Sequence, residues 1–242
     1  SHLADEAEVA RAKAAGCAII HRIDEDFNWG QDDPYRREKH DKIRRLNRLA
    51  DITVFQSRFV EANLLETLNP ARHTVILNGA DPSVFKPACR PGEWIGHVTW
   101  STGEKKRLDL LYRCIESHPD RKFLLVGRHA QSSLPFGRLP NVKLVGRAFR
   151  FMMPYHYRRM AVLYFPSQDD PCPNTAAEAV LSGVPVCYNA RGGTRELVRD
   201  CGLPLERFDE LLAGLPLYRE RCLRRDDLDF ASAAARYLAL QP

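Results

Sequence analysis

The chain has 242 residues, 44% of them hydrophobic, and 36 Lys and Arg outnumber 31 Asp and Glu for a formal net charge of +5. That length covers one large domain or two small ones, and the apolar share is enough for a real core. No run approaches the ~20 apolar residues of a membrane span, and no signal peptide is visible.

The seven cysteines are scattered and form no C-x-x-C pair, so reduced thiols in a cytoplasmic protein are expected rather than a zinc site or a disulfide framework. The mildly basic balance suits anionic substrates or an anionic membrane surface.

Residues 3–15 read as a helix stopped by Gly16, and 17–23 as a strand. A polar loop follows over 24–34. A basic helix is expected over 35–49, with Ile43, Leu46 and Leu49 as a narrow apolar stripe. Its cations, among them Arg36, Lys39, Arg44 and Arg45, form either a solvated face or a peripheral contact with an anionic membrane or acceptor. Nucleic acid is disfavoured, because no recognition motif is present and no aromatic platform interleaves with the basic residues. A second strand over 51–56, a helix over 58–68 capped by Ser57, and a third strand over 73–77 complete the N-terminal part. Strands alternating with helices predict a parallel α/β layer covered on both faces. His21 and Asp24 fall at the carboxyl end of the first strand, where open α/β sheets bind ligands; a structural histidine and a capping aspartate fit equally well. Asn78-Gly79-Ala80-Asp81 is a turn sequence.

Lys86 to Gly92 is rich in proline and charge and marks a boundary. A strand over 94–98 is followed by Trp100-Ser101-Thr-Gly-Glu-Lys-Lys106-Arg-Leu-Asp109, a polar loop opening a helix. Lys105, Lys106 and Arg107 stand at the positive end of that helix, an unfavourable place for cations unless an anion binds there. Strands over 121–127 and 142–146 each end in glycine, followed by Arg128 and Arg147. Residues 152–160 read as a helix in which Met153, Tyr157 and Met160 pack.

The densest stretch is 161–188. An apolar strand, a loop with three prolines, a helix over 175–181 capped by Asn174 and stopped by Gly183, and a second apolar strand follow one another. The bare N–H groups at such a helix start suit phosphate, and Asp170 and Glu178 bracket the seat. Gly192 and Gly193 permit close approach of backbone to a ligand. Helical patterning returns over 216–240.

Asp170, seven residues, Glu178, then Ala-x-x-x-Gly-x-Pro-Val resembles the nucleotide-sugar motif of retaining glycosyltransferases of the GT-B type, the group 1 or family 4-like enzymes. The stretch from Asp51 to Pro87 and the Gly-Gly-x-x-Glu turn at 192–196 are similar to that family as well. The family usually has Glu where this chain has Asp170, and Gly where it has Arg107.

The resemblance implies two Rossmann-like parallel-sheet domains. Residues 1–87 would form an incomplete acceptor-side domain, 92–217 the nucleotide-sugar domain, and 218–242 helices crossing back. It further implies that Asp170 meets the donor sugar, Glu178 the ribose, and Lys106 with the backbone N–H groups near Asn174, Thr175 and Ala176 the diphosphate. Gly79, Trp100, Ser101, Arg128, Arg147 and Gly193 would frame the donor, and His21 and Asp24 would lie on the acceptor side. The implied reaction is hexose transfer from a nucleotide diphosphate-sugar to a glycan or lipid-linked acceptor, with no cofactor and no metal. The alternative is a non-catalytic nucleotide-sugar-binding subunit.

Overall fold

The computed structural model describes residues 4–27 and 33–240; the loop expected over 24–34 and the ends of the chain lie partly outside them. The N-terminal part contains α1 (Glu6–Ala14), β1 (Ile20–Ile23), α2 (Pro34–Arg48), β2 (Ile52–Phe55), α3 (Arg58–Leu68) and β3 (His73–Val75). Its strands form a parallel sheet in the order β1-β2-β3. The larger part contains β4 (Trp94–Thr99), α4 (Leu108–Ser117), β5 (Phe123–Gly127), β6 (Val142–Gly146), α5 (Met153–Arg158), β7 (Met160–Phe165), α6 (Asn174–Leu181), β8 (Val186–Tyr188), α7 (Thr194–Val198) and β9 (Gly202–Pro204). Three helices close the chain: α8 (Phe208–Ala213), α9 (Leu215–Leu223) and α10 (Phe230–Leu238).

The second sheet is also parallel, in the order β6-β5-β4-β7-β8-β9. These are two Rossmann-like units of the expected α/β class, the N-terminal one with three strands. The central strands read as unbroken apolar runs because helices cover both of their faces. Phe123, Leu124, Leu125 and Val126 of β5 are all fully buried.

The helical segment expected over 216–240 is two helices. Residues 224–229 interrupt it, and Asp229 caps α10 by accepting the N–H of Ala231 at 2.9 Å. The chain then reaches the N-terminal sheet. Ala80 and Asp229 form a parallel bridge, and Ala233, Tyr237 and Leu240 pack on Ile52, Val54 and Ile76. Gly79 serves this contact. A Cβ there would stand 2.7 Å from the Leu228 carbonyl oxygen, so the residue is a packing glycine rather than part of a ligand wall.

The basic helix α2 starts at Pro34, with Asp33 as its cap. Most of its charge is met within the chain: Arg36 pairs with Asp33, Lys39 with Glu25, Arg44 with Asp41 and Arg45 with Glu6. Its inner face buries His40, Ile43, Leu46 and Asn47. Among the described residues no helix is long and apolar enough to cross a membrane.

Candidate functional site

The order of the large sheet reverses between β4 and β7. Chains leaving neighbouring strands in opposite directions open a crevice beyond their carboxyl ends. The loop after β4 carries Trp100, Ser101 and Lys106, and the loop after β7 carries Asp170. They line one cleft of about 1180 Å³ between the two sheets, together with Asp24, Arg147, Asn174, Thr175 and Glu178.

Of the three cations grouped at 105–107, Lys106 alone lines the cleft. Arg107 adopts a left-handed conformation with φ 45°, which turns the chain from the short helix 104–106 into α4. Such a position favours glycine. The Arg107 guanidinium forks onto Asp109 at 2.9 and 2.8 Å, which removes the conflict with the helix dipole. Lys106 Nζ stands 3.4 Å from Asp170 Oδ2, so the chain itself supplies an anion for this lysine.

Asp170 is held by its neighbours' backbone. Asp169 is left-handed at φ 51°, and its carboxylate is gripped by Arg191 at 3.2 and 2.9 Å. Asp170 and Gly192 form a parallel bridge, and the Gly193 N–H donates to the Asp170 carbonyl at 2.9 Å. The glycine pair allows close approach, but to this loop rather than to a ligand. A Cβ on Gly192 would lie 2.9 Å from the Asp170 nitrogen, and one on Gly193 would meet the Pro171 carbonyl and Ser57 Oγ. Gly193 does not line the cleft.

Helix α6 begins one residue earlier than expected. Pro173 is its cap and Asn174 its first residue. The Asn174 side chain is engaged across the cleft, where its Oδ1 accepts from Asn78 Nδ2 at 2.9 Å. Asn78 Nδ2 also donates to the Cys172 carbonyl at 2.7 Å, which ties the end of the N-terminal sheet to the α6 entry. The N–H groups of Ala176 and Ala177 donate to the Pro173 carbonyl. Those of Asn174 and Thr175 meet no protein acceptor among the described residues, and both residues face the cleft.

Glu178 sits one turn further along. Burial pushes its carboxyl above the ordinary value, and a hydrogen bond from Tyr157 partly offsets this. The Tyr157 hydroxyl lies 2.9 Å from Glu178 Oε2. Tyr157 is therefore more than packing, and it is the clearest residue the sequence reading missed, together with Asn78 and the cleft-lining Arg22. Arg22 Nη2 donates to Asn78 Oδ1 at 2.8 Å.

Besides Gly193, three expected site residues stand elsewhere. His21 is the second residue of β1, and its buried side chain takes the Asn47 amide on Nδ1 at 3.1 Å, while burial lowers its pKa to about 4. It is a neutral structural histidine, and Asp24 alone of that pair reaches the cleft. Arg128 is exposed and outside the cleft lining, while Arg147 lies within it. Gly79 faces the C-terminal segment, as described above.

The larger part of the chain matches a known family model: residues 94–214, half of the sequence, fit glycosyl transferases group 1. No curated protein matches the chain by sequence. Among solved structures, sucrose-phosphate synthase from Thermosynechococcus elongatus superposes with a TM-score of 0.76 at 19% identity, covering 91% of this chain and 66% of its own. Anabaena Alr3699/HepE in complex with UDP gives 0.76 at 16% identity, with 98% and 76% coverage. S. aureus TarM, solved as a mutant with fondaparinux, alpha-GlcNAc-glycerol and UDP, gives 0.72 at 14% identity, with 92% and 50% coverage. The chain thus spans about two thirds of the first of these proteins and half of the last. At such identities the likeness is one of fold.

Proposed function

Because the chain belongs to the group 1 glycosyl transferases, we propose that its cleft binds a nucleotide diphosphate-sugar and passes the hexose, with retention at the anomeric carbon, to a glycan or lipid-linked acceptor. One observation carries the reading: the open N-terminus of α6, Asp170, Glu178 and Lys106 all face the same cleft. Structures of similar fold have been solved with UDP and with UDP-glucose, which supports a donor of this chemistry.

In this reading the diphosphate lies at the N–H groups of Asn174 and Thr175 and draws Lys106 toward it. Asp170, released from that lysine, accepts hydrogen bonds from the sugar hydroxyls. Glu178, fixed by Tyr157 through one oxygen, offers the other to the ribose hydroxyls. Arg147 and Arg150 stand on the rim where the base would enter. Asp24 and Arg22 form the opposite wall, on the acceptor side.

The bond between the anomeric carbon and the diphosphate oxygen breaks, and its electron pair leaves with the diphosphate. The acceptor oxygen bonds to that carbon from the same face, and its proton passes to the departing diphosphate. Lys106 and the helix end stabilise the charge that develops there, a contribution of ~3–4 kcal/mol for a well-placed donor. These groups take the place of a metal ion, and no further cofactor is invoked. Residues 1–87 act as the acceptor-side unit and 92–217 as the donor-side unit, in the cytoplasm, with residues 218–242 joining the two.

Calorimetry with UDP, GDP, TDP and ADP, followed by a turnover assay on the matching nucleotide-sugar, tests the proposal. Binding of one nucleoside diphosphate with turnover is expected. Binding without turnover selects a non-catalytic sugar-nucleotide subunit instead, and no binding at all removes the donor site.

A further inference from the structure

From Arg147 to Arg159 the chain carries four arginines, at 147, 150, 158 and 159, and no carboxylate. Four large apolar side chains of the same stretch lie open at its surface: Phe149 is 70% exposed, Phe151 78%, Tyr155 58% and Met152 39%. The Phe149 and Phe151 rings stack, 5.6 Å apart and 8° from parallel. Tyr155 is roofed by the Arg159 guanidinium at 5.5 Å. Beneath them Met153 and Tyr157 are buried and anchor the segment. Exposed aromatics are ordinarily scattered singly, so a cluster like this marks a surface that meets something apolar.

We propose that residues 149–155 form a docking surface for an anionic phospholipid membrane. Aromatic rings and methionine enter the boundary between headgroups and acyl chains, and the arginines around them pair with lipid phosphates. The charge decides the partner. A second copy of this chain would bring a like-charged patch against this one, whereas an anionic leaflet neutralises it. Helix α2, the more obvious basic element, is the poorer membrane face, because its cations are largely paired and its apolar side is buried. Phe149 and Arg150 belong both to the patch and to the cleft lining, so a membrane held here lies at the cleft mouth.

The experiment is co-sedimentation of the whole chain with phosphatidylcholine vesicles, with and without about 30% phosphatidylglycerol. Binding is expected only to the anionic vesicles and is expected to weaken with salt. The double variant Phe151→Ser, Tyr155→Ser, whose side chains lie outside the cleft lining, is expected to lose about tenfold or more in vesicle affinity. Its nucleotide binding by calorimetry is expected to be unchanged. Absence of vesicle binding, undiminished binding by the variant, or a dimer in sedimentation that the variant dissolves would each overturn the proposal. Vesicle binding requires no nucleotide, so this result stands apart from that of the donor site.

Discussion

Replacing Tyr157 by phenylalanine removes the hydroxyl that holds Glu178 and that also lies 3.3 Å from the Thr175 carbonyl. The hydroxyl donates to Glu178 Oε2 at 2.9 Å from a fully buried ring. A hydrogen bond to an ionised group is worth about 1.5–3 kcal/mol, and removing the donor strands a half-buried carboxylate oxygen. In a chain of this size each ~1 kcal/mol moves the melting point by about 2–4 °C, so a fall of roughly 3–12 °C is expected near neutral pH.

The pH dependence distinguishes this loss from a mere packing defect. Glu178 titrates above its ordinary value because burial disfavours the charged form. Protonation therefore favours the folded state, and the stability Glu178 contributes is gained as pH falls through its raised pKa and lost above it. The Tyr157 bond opposes this by stabilising the ionised form. Removing it raises the pKa further. The variant's deficit is accordingly largest above the raised pKa and narrows as pH falls through it, and the acid limb of nucleotide affinity moves to higher pH. Melting curves across that range and calorimetry with the bound nucleoside diphosphate read both effects. A deficit that does not change with pH, or an unmoved acid limb, refutes the reasoning and leaves Tyr157 as a space-filler.

Three other outcomes follow from the geometry. Lys106→Ala is expected to lower kcat/KM about 100- to 1000-fold with little change in melting, since among the described residues the lysine's one ion pair is with Asp170, at 3.4 Å; an unchanged kcat/KM removes its charge-stabilising role. Gly193→Ala places a methyl on the Pro171 carbonyl and near Ser57 Oγ, so the 169–171 loop must shift and turnover is expected to fall more steeply than nucleotide affinity. Equal losses in both would mean that the loop position does not govern the sugar end of the site. Glu196→Ala removes a carboxylate that accepts the N–H groups of Arg58 and Phe59 at 2.7 and 2.8 Å, and with it about 1–2 kcal/mol, or about 2–8 °C in melting temperature. A melting curve identical to the parent's would show that this contact adds nothing.

What was legible in the sequence is what neighbours along the chain decide. The apolar runs at 123–126 and 161–165, the prolines of 166–173 and the glycine at 183 fix strands, loop and helix stop without reference to distant residues, although Met160, expected to end the preceding helix, begins β7. The exposed start of α6 and the two acids that share its cleft followed from that local pattern. What was not legible depends on partners far along the chain. Asn174 fails as a cap because Asn78, 96 residues away, takes its side chain. Gly79 is glycine because of Leu228, and Gly193 because of Pro171 and Ser57. His21 was expected at the carboxyl end of its strand, yet it is the second residue of β1 and the side chain beside it is Asn47 rather than the cleft. A tyrosine at helical spacing looks like core until its hydroxyl is seen to find an acid 21 residues on.

The stretch 192–196 touches both halves of the molecule at once. At one end it bridges the Asp170 backbone, and at the other Glu196 closes the start of α3. Any displacement of α3 relative to the large sheet would therefore be transmitted through these five residues to the main chain of Asp170.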